Sequence, residues 1–483
     1  MTGHLKLGTK LAYGLGSIAY GVKDNGFNYF LLIFYSQVIG LDGRLVGLAL
    51  TIALVADAIS DPIVGYWSDN LRSRWGRRHP FMYAAALPAA ASYFLLWNPP
   101  TGMSQQHLFF YVLGLAIAIR LTLNLYETPS NAMAAELSPD YDERSSILSY
   151  RYFFGWTGGN AMSAIMFLAI FPAFVTAAIT NGQFNRESYA LYGKIASAVI
   201  FLSIMVSALG THAHVAPIQP PERKQRLSIG AMLREIGQTF ADRSFAALFF
   251  AAILGAVATG LSAALSFYFS TYFWGFTSAQ IGLTVLGVFV SAMIGSTLAP
   301  VISRTLGKKR GAIVIGLVAF LGSPMPLVLR LLGLLPENGD PFIFWFVLIT
   351  NTIDVGLIIC FQILSSSMVA DLVERAELRT GRRSEALLFS ALQFIRYCVQ
   401  GFGLIAASLI LTFAAFPVGA QPGEVPADAV WRLGAYYVPT ILALWLAMVA
   451  VMAMYRVNRE EHEDNLRRLA EARVARSINL QDE

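Results

Sequence analysis

The sequence predicts an all-α polytopic membrane protein with twelve transmembrane helices in two six-helix halves. Three observations carry this. Of 483 residues, 56% are hydrophobic and only 13% charged, with a mean hydropathy of +0.56; ordinary soluble domains are about 25% charged. Apolar runs of about 20 residues, enough to cross a bilayer core, recur twelve times along the chain. A faint internal repeat appears at an offset of 235, where Gly40, Val46, Gly47 and Leu48 match Gly275, Ile281, Gly282 and Leu283. At that offset Ala135-Glu136-Leu137 also matches Ala370-Asp371-Leu372.

Taken in order, span 1 covers 11–39 and contains Lys23 and Asp24. The opening MTGHLKLGTK lacks the pattern of a cleavable leader, so span 1 itself serves for insertion. Span 2 (45–67) holds Asp57 and Asp61, and span 3 covers 80–97. Span 4 (106–135) carries Arg120, Asn124 and Glu127 at i, i+4 and i+7, which makes one helix face polar. Span 5 (149–172) has Arg151 near its start, and span 6 covers 190–210. The polar, Pro-rich stretch 211–244 then divides the chain. Spans 7 to 12 follow at 245–274, 279–302, 311–335, 341–371, 384–415 and 431–456. The expected organisation is an N-terminal bundle (1–210), a central cytoplasmic loop (211–244), a C-terminal bundle (245–456) and a charged tail (457–483). Two parallel six-helix repeats describe the major facilitator architecture, with a substrate site at the midplane between them.

Loop charges orient the chain. Lys6, Lys10, Arg72, Arg74, Arg77 and Arg78 fall on one side, as do Arg304, Lys308, Lys309, Arg310, Arg379, Arg382 and Arg383. The opposite loops hold little beyond Arg44, Arg186 and Arg432. The positive-inside rule therefore puts both termini in the cytoplasm. It also accounts for the net charge of +5 and pI of 9.1 without nucleic acid. Cys360 and Cys398 both fall in spans and form no disulfide framework or metal motif.

The chemistry points to Asp57 and Asp61. A carboxylate at the bilayer centre costs roughly 2.5–3.5 kcal/mol on insertion scales. Two on one helix face require a cation, a proton or a basic partner. Their repeat positions in the second half are Ala292 and Ser296, so the acidity belongs to the first half alone. That half carries a group of seven charges in or near spans 1, 2, 4 and 5: Lys23, Asp24, Asp57, Asp61, Arg120, Glu127 and Arg151. A structural ion-pair network would use some of them; a water-lined polar cavity uses all. The second half offers Asp354, Arg396, Gln362, Gln393 and Gln400. No histidine lies in the interior of a span, His107 sitting at the very start of span 4, so any proton is carried by carboxylates. Oxygen ligands suit Na+ equally, and the pattern leaves Na+ and H+ both open. Phosphate loops, nucleophile motifs and metal-ligand sets are absent from the sequence, which argues against an enzyme or a resident cofactor.

The motifs then add up. Asp57-Ala-Ile-Ser-Asp61-Pro62, followed by Gly65, Asp69 and Arg74-Trp75-Gly76-Arg77-Arg78, resembles the glycoside–pentoside–hexuronide:cation symporters, the melibiose permease-like family of the major facilitators. A second signature, Ala370-Asp371, Glu374, Glu377 and Thr380-Gly381-Arg382-Arg383, supports the likeness between spans 10 and 11. The resemblance implies that Asp57 and Asp61 bind the coupling cation, and that Glu127 and Arg151 bind the substrate. Asp24, Asn124, Gln393 and Arg396 are further substrate-site candidates; Gly65, Asp69, Arg74, Gly76, Arg77, Arg78, Asp371 and Arg383 are candidates for conformational gating. Two departures stand out. The family's acidic sugar ligand in span 1 aligns near Gly21, one turn before Asp24, and Arg396 and Tyr397 occupy the neighbourhood of the family's lysine in span 11.

The expected activity is cation-coupled symport of a sugar or glycoside by alternating access. The alternative is a lysolipid or other amphipathic or organic-acid substrate, since lysophospholipid transporters share the acidic pair. The expected carrier is monomeric and lies in a bacterial inner (cytoplasmic) membrane. Its partners are a small-molecule substrate and the lipid bilayer.

Overall fold

The computed structural model describes residues 5–137, 141–177, 179–214, 243–380, 399 and 401–454. Every regular element among them is helical. Span 1 is assembled from pieces: α1 (Leu7–Leu15), α2 (Ile18–Asn25) and α3 (Leu31–Ile33), with wide π-turns at Gly26–Phe30 and Phe34–Ile39. After it come α4 (Gly43–Asn70), α5 (His79–Leu96), α6 (Gln105–Leu137), α7 (Tyr141–Ile165), α8 (Phe171–Ala173) and α9 (Arg186–His212). The second half supplies α10 (Arg243–Tyr268), α11 (Ser278–Thr305), α12 (Lys308–Gly322), α13 (Met325–Leu331), α14 (Pro341–Thr380), α15 (Gly401–Phe413) and α16 (Ala427–Ala453).

Local chemistry sets the ends. Gly40 takes φ +87° to close span 1, and Asp42 caps α4 by accepting from the Arg44 amide at 2.8 Å. Asn185 caps α9 in the same way, accepting from the Glu187 amide at 3.0 Å. Span 9 breaks between α12 and α13, where Pro324 and Pro326 remove backbone donors. α14 continues past the expected end at 371 because DLVERAELRT is rich in good helix formers.

Nine described helices are long and apolar enough to cross a membrane. Span 1 and α5 add two more, and α15 is the described part of span 11, whose residues 384–398 and 400 lie outside the described residues. The chain is an integral, multi-pass membrane protein.

The structure divides into two compact units. One comprises Met1–Lys224 with Gly260–Leu286 and Gln400–Tyr436; the other comprises Gln225–Thr259, Gly287–Val399 and Tyr437–Glu483. In the first, α4 packs on α6, α5 on α6 and α9, and α1 and α2 on α7. The α2–α7 contact runs backbone to backbone, since a Cβ on Gly21 would strike the Gly155 carbonyl oxygen. Aromatic side chains pack together in this unit: Phe30 meets Phe167 at 5.6 Å and Phe267 at 5.0 Å. Polar bonds lie beside them. The Tyr268 hydroxyl bonds Ser36 and Gln37, and Thr271 donates to Gln183 Oε1 at 2.9 Å. In the second unit α12 packs on α14, Phe320 stacks on Trp445 at 4.2 Å, and Ser291 donates to the Thr352 carbonyl at 2.7 Å.

Candidate functional site

α4 and α6 lie side by side, which brings the acidic pair against the polar stripe of span 4. Arg120 Nη1 donates to Asp57 Oδ2 at 2.6 Å, and both residues are buried, 4% and 6% exposed. The guanidinium also lies over the Phe27 ring at 5.0 Å. Asn124 Nδ2 donates to Ser60 Oγ at 2.6 Å and to the Asp57 carbonyl at 3.2 Å, so its amide nitrogen is spent joining the two helices. Asp61 accepts from Thr128 Oγ1 at 3.3 Å. Asp57 Oδ1 is buried without a hydrogen-bond partner among the described residues. The free oxygens of Asp57, Asp61, Thr128 and Asn124 are hard donors of the kind that holds a small hard cation.

The remaining charges adjoin this pair. Lys23 Nζ meets Asp24 Oδ1 at 2.7 Å; the lysine is buried and the aspartate is 43% exposed. Gly21 itself is filled by the backbone of α7, so no acidic side chain fits there, and Asp24 is the carboxylate that span 1 presents. Glu127 lies in the field of Lys23 and Arg151. Arg151 donates to Ser130 Oγ at 2.9 Å, while Tyr13 donates to the Ser130 carbonyl at 2.9 Å. Tyr20 and Tyr13 lie beneath the guanidinium at 5.4 and 5.8 Å. Arg151 Nη2 is buried with no hydrogen-bond partner among the described residues. A buried donor left open beside a carboxylate can recognise a polyhydroxylated molecule, because hydroxyls both accept from Arg and donate to Glu.

A second cluster sits where the loop after α4 meets the end of α6. Glu136 Oε1 accepts from Arg77 Nε at 2.9 Å and Arg78 Nε at 3.0 Å, and Arg78 Nη1 donates to Ser68 Oγ at 2.6 Å. Gly76 adopts φ +75°, a conformation that favours glycine. Arg74 lies over Trp75 at 5.8 Å. Gly65 has only Thr128 Cγ2 within reach of an added Cβ, at 3.6 Å, so close helix approach does not require a glycine there.

Gln393, Arg396 and Arg383 lie outside the described residues, as do the tail 457–483 and the side chains of Asp69 and Asp371. Arg120 and Glu136 are the contacts that motif reading undervalued. Both had a signal: Arg120 begins the i, i+4, i+7 stripe, and Glu136 aligns with Asp371 in the repeat.

The fold, the paired charges and the helix count define a transporter of the major facilitator class, not an enzyme. The family model described as MFS/sugar transport protein matches residues 12–459, and the chain belongs to that family. Among its relatives, the putative glycoside/cation symporter YagG of Escherichia coli (strain K12) is 23% identical, covering 99% of this chain and 98% of that protein. The isoprimeverose transporter of Lactiplantibacillus pentosus is 22% identical over 94% and 89% of the two chains. The sodium-dependent lysophosphatidylcholine symporter 1 of Gallus gallus is 23% identical over 97% and 90%. The solved D-xylose-proton symporter shares the fold at a TM-score of 0.58 and 15% identity, over 91% of this chain and 97% of that one.

Proposed function

We propose that the protein carries a sugar or glycoside across the membrane in symport with a monovalent cation, Na+ or H+, by alternating access between the two six-helix halves, 1–210 and 245–456. The observation that supports this most is the charged constellation on α2, α4, α6 and α7, of which Lys23, Asp57, Arg120 and Arg151 are buried. It holds three cations (Lys23, Arg120, Arg151) and four carboxylates (Asp24, Asp57, Asp61, Glu127). Relatives named for glycoside, isoprimeverose and lactose transport support the substrate class. In this reading Asp57 and Asp61 receive the cation, while Glu127, Arg151 and Asp24 bind substrate hydroxyls. Asn124 orients the pair, and Gln393 and Arg396 complete the substrate site. Arg74, Arg77, Arg78 and Asp69, with Asp371 and Arg383 in the second half, lock and release the cytoplasmic ends around Gly65 and Gly76. Both termini are cytoplasmic, and a bacterial inner membrane is the expected site. Coupling follows if each ligand favours the other and only the empty or doubly loaded carrier switches.

The test is uptake into proteoliposomes with a panel of sugars, uronates and lysolipids, under imposed Na+ or pH gradients. A sugar or glycoside accumulates against its gradient in the parent protein. Asp61→Asn abolishes accumulation while retaining bare exchange, and Arg151→Ala or Glu127→Ala weakens substrate affinity. Accumulation of a lysolipid alone, or undiminished cation-driven accumulation in Asp61→Asn, overturns the assignment.

A further inference from the structure

We infer that Arg120 is a tethered competitor for the coupling cation, and that it sets the affinity and the net charge of the pair on α4. The inference rests on the cation-symport reading above and deepens it. Arg120 already occupies Asp57 Oδ2 at 2.6 Å, and Phe27 covers the guanidinium. Arg120 Nε and Asp57 Oδ1 are both buried without partners among the described residues, so neither side of the contact is saturated. A single hydrogen bond with an open donor and an open acceptor is an ion pair that another ligand can enter. With Arg120 in place, two carboxylates present one formal negative charge, enough for one monovalent cation. The charges facing Asp57 are Lys23 from α2, Arg120 and Glu127 from α6, and Asp61 on its own helix. Of these, Arg120 alone contacts its carboxylate. An incoming cation within a few ångströms of the guanidinium is repelled by it. At an effective dielectric of about 20 and a separation of about 4–6 Å this costs about a hundred- to a thousandfold in affinity.

Arg120 is therefore a specificity-determining residue that works by weakening the site. A merely structural arginine predicts loss of cation response when removed; a competitor predicts gain. The experiment measures substrate uptake by parent, Arg120→Gln and Arg120→Lys carriers in two arms. One arm titrates Na+ at fixed pH, and the other titrates pH at fixed Na+. In whichever arm the parent responds, Arg120→Gln moves half-activation about a hundred- to a thousandfold toward lower cation concentration. Arg120→Lys keeps the charge but loses the planar fork and moves it a few fold the same way. An unmoved curve, or one displaced to higher cation concentration, overturns the inference. If Arg120→Gln does not fold, an unmoved Arg120→Lys curve does so alone. A parent carrier that responds in neither arm refutes the symport reading itself, and that outcome is distinct from a responsive parent with unmoved variants.

Discussion

Replacing Asp57 with Asn isolates one charge pair with little other disturbance. Asparagine matches aspartate in volume, and the contacts that position residue 57 are made by its backbone. Its carbonyl accepts from Ser60 Oγ at 2.8 Å and from Asn124 Nδ2 at 3.2 Å, and both survive the change. What is lost is the anion facing Arg120, a residue only 4% exposed that cannot reach water by rotating. Removing one member of a buried pair leaves an uncompensated charge and costs about 3–5 kcal/mol. Removing both members avoids that cost, so Asp57→Asn/Arg120→Gln regains most of the stability lost by Asp57→Asn. The four proteins of the cycle are purified in one detergent and unfolded by heat in the presence of a thiol-reactive dye. The buried thiol of Cys360 reports its exposure. The expected order of midpoints is parent, then double variant, then Asp57→Asn, with a coupling energy of about 3 kcal/mol or more. An Asp57→Asn carrier as stable as the parent, or a double variant no better than it, refutes the claim that this pair is mutually dependent.

Three further changes test separate parts of the structure. Gly21→Ala drives a Cβ into the Gly155 carbonyl, so folded yield on gel filtration falls, whereas Gly8→Ala, with nothing within 4 Å, leaves it unchanged. Glu136→Gln weakens charge-assisted bonds worth about 1.5–3 kcal/mol to buried Arg78, while Arg77, 45% exposed, contributes little, and deuterium uptake across 71–78 accelerates. Tyr268→Phe leaves the Gln37 amide and the Ser36 hydroxyl without a shared partner in a buried layer, and the thermal midpoint falls by the equivalent of about 1–3 kcal/mol.

Helix number and the location of the charges were legible because a bilayer imposes length and makes polar side chains conspicuous. Asp57, Asp61 and Arg120 stood out for that reason alone. Which charge meets which was less legible, because helix periodicity fixes the face a residue occupies but not its neighbour across the interface. Asn124 illustrates the gap: the stripe placed it beside Glu127, yet its amide serves α4. The π-turns of span 1 were invisible because they depend on where aromatic side chains such as Phe30 and Phe34 pack. Gly21 shows the converse: read against the family it was a missing acid, and packing makes it a contact surface for α7.

The charge balance of the constellation leads to a last prediction. Its three cations and four carboxylates leave one formal negative charge on the constellation. Moving an uncompensated charge between two environments is costly, and the cost falls when the cluster is neutral. One monovalent cation brings the formal sum to zero, and a neutral sugar leaves it there. A uronate restores the negative charge and requires a second cation. Symport of a neutral sugar therefore moves about one positive charge per sugar, while a uronate carried with two cations moves the same net charge. The assay is the reversal potential of substrate-evoked current in planar bilayers or on solid-supported membranes, recorded at several sugar gradients. A slope of one charge per sugar supports the balance. Electroneutral transport of a neutral sugar, or two charges for each sugar moved, shows that protonation elsewhere in the constellation sets the count and refutes the argument from these seven residues.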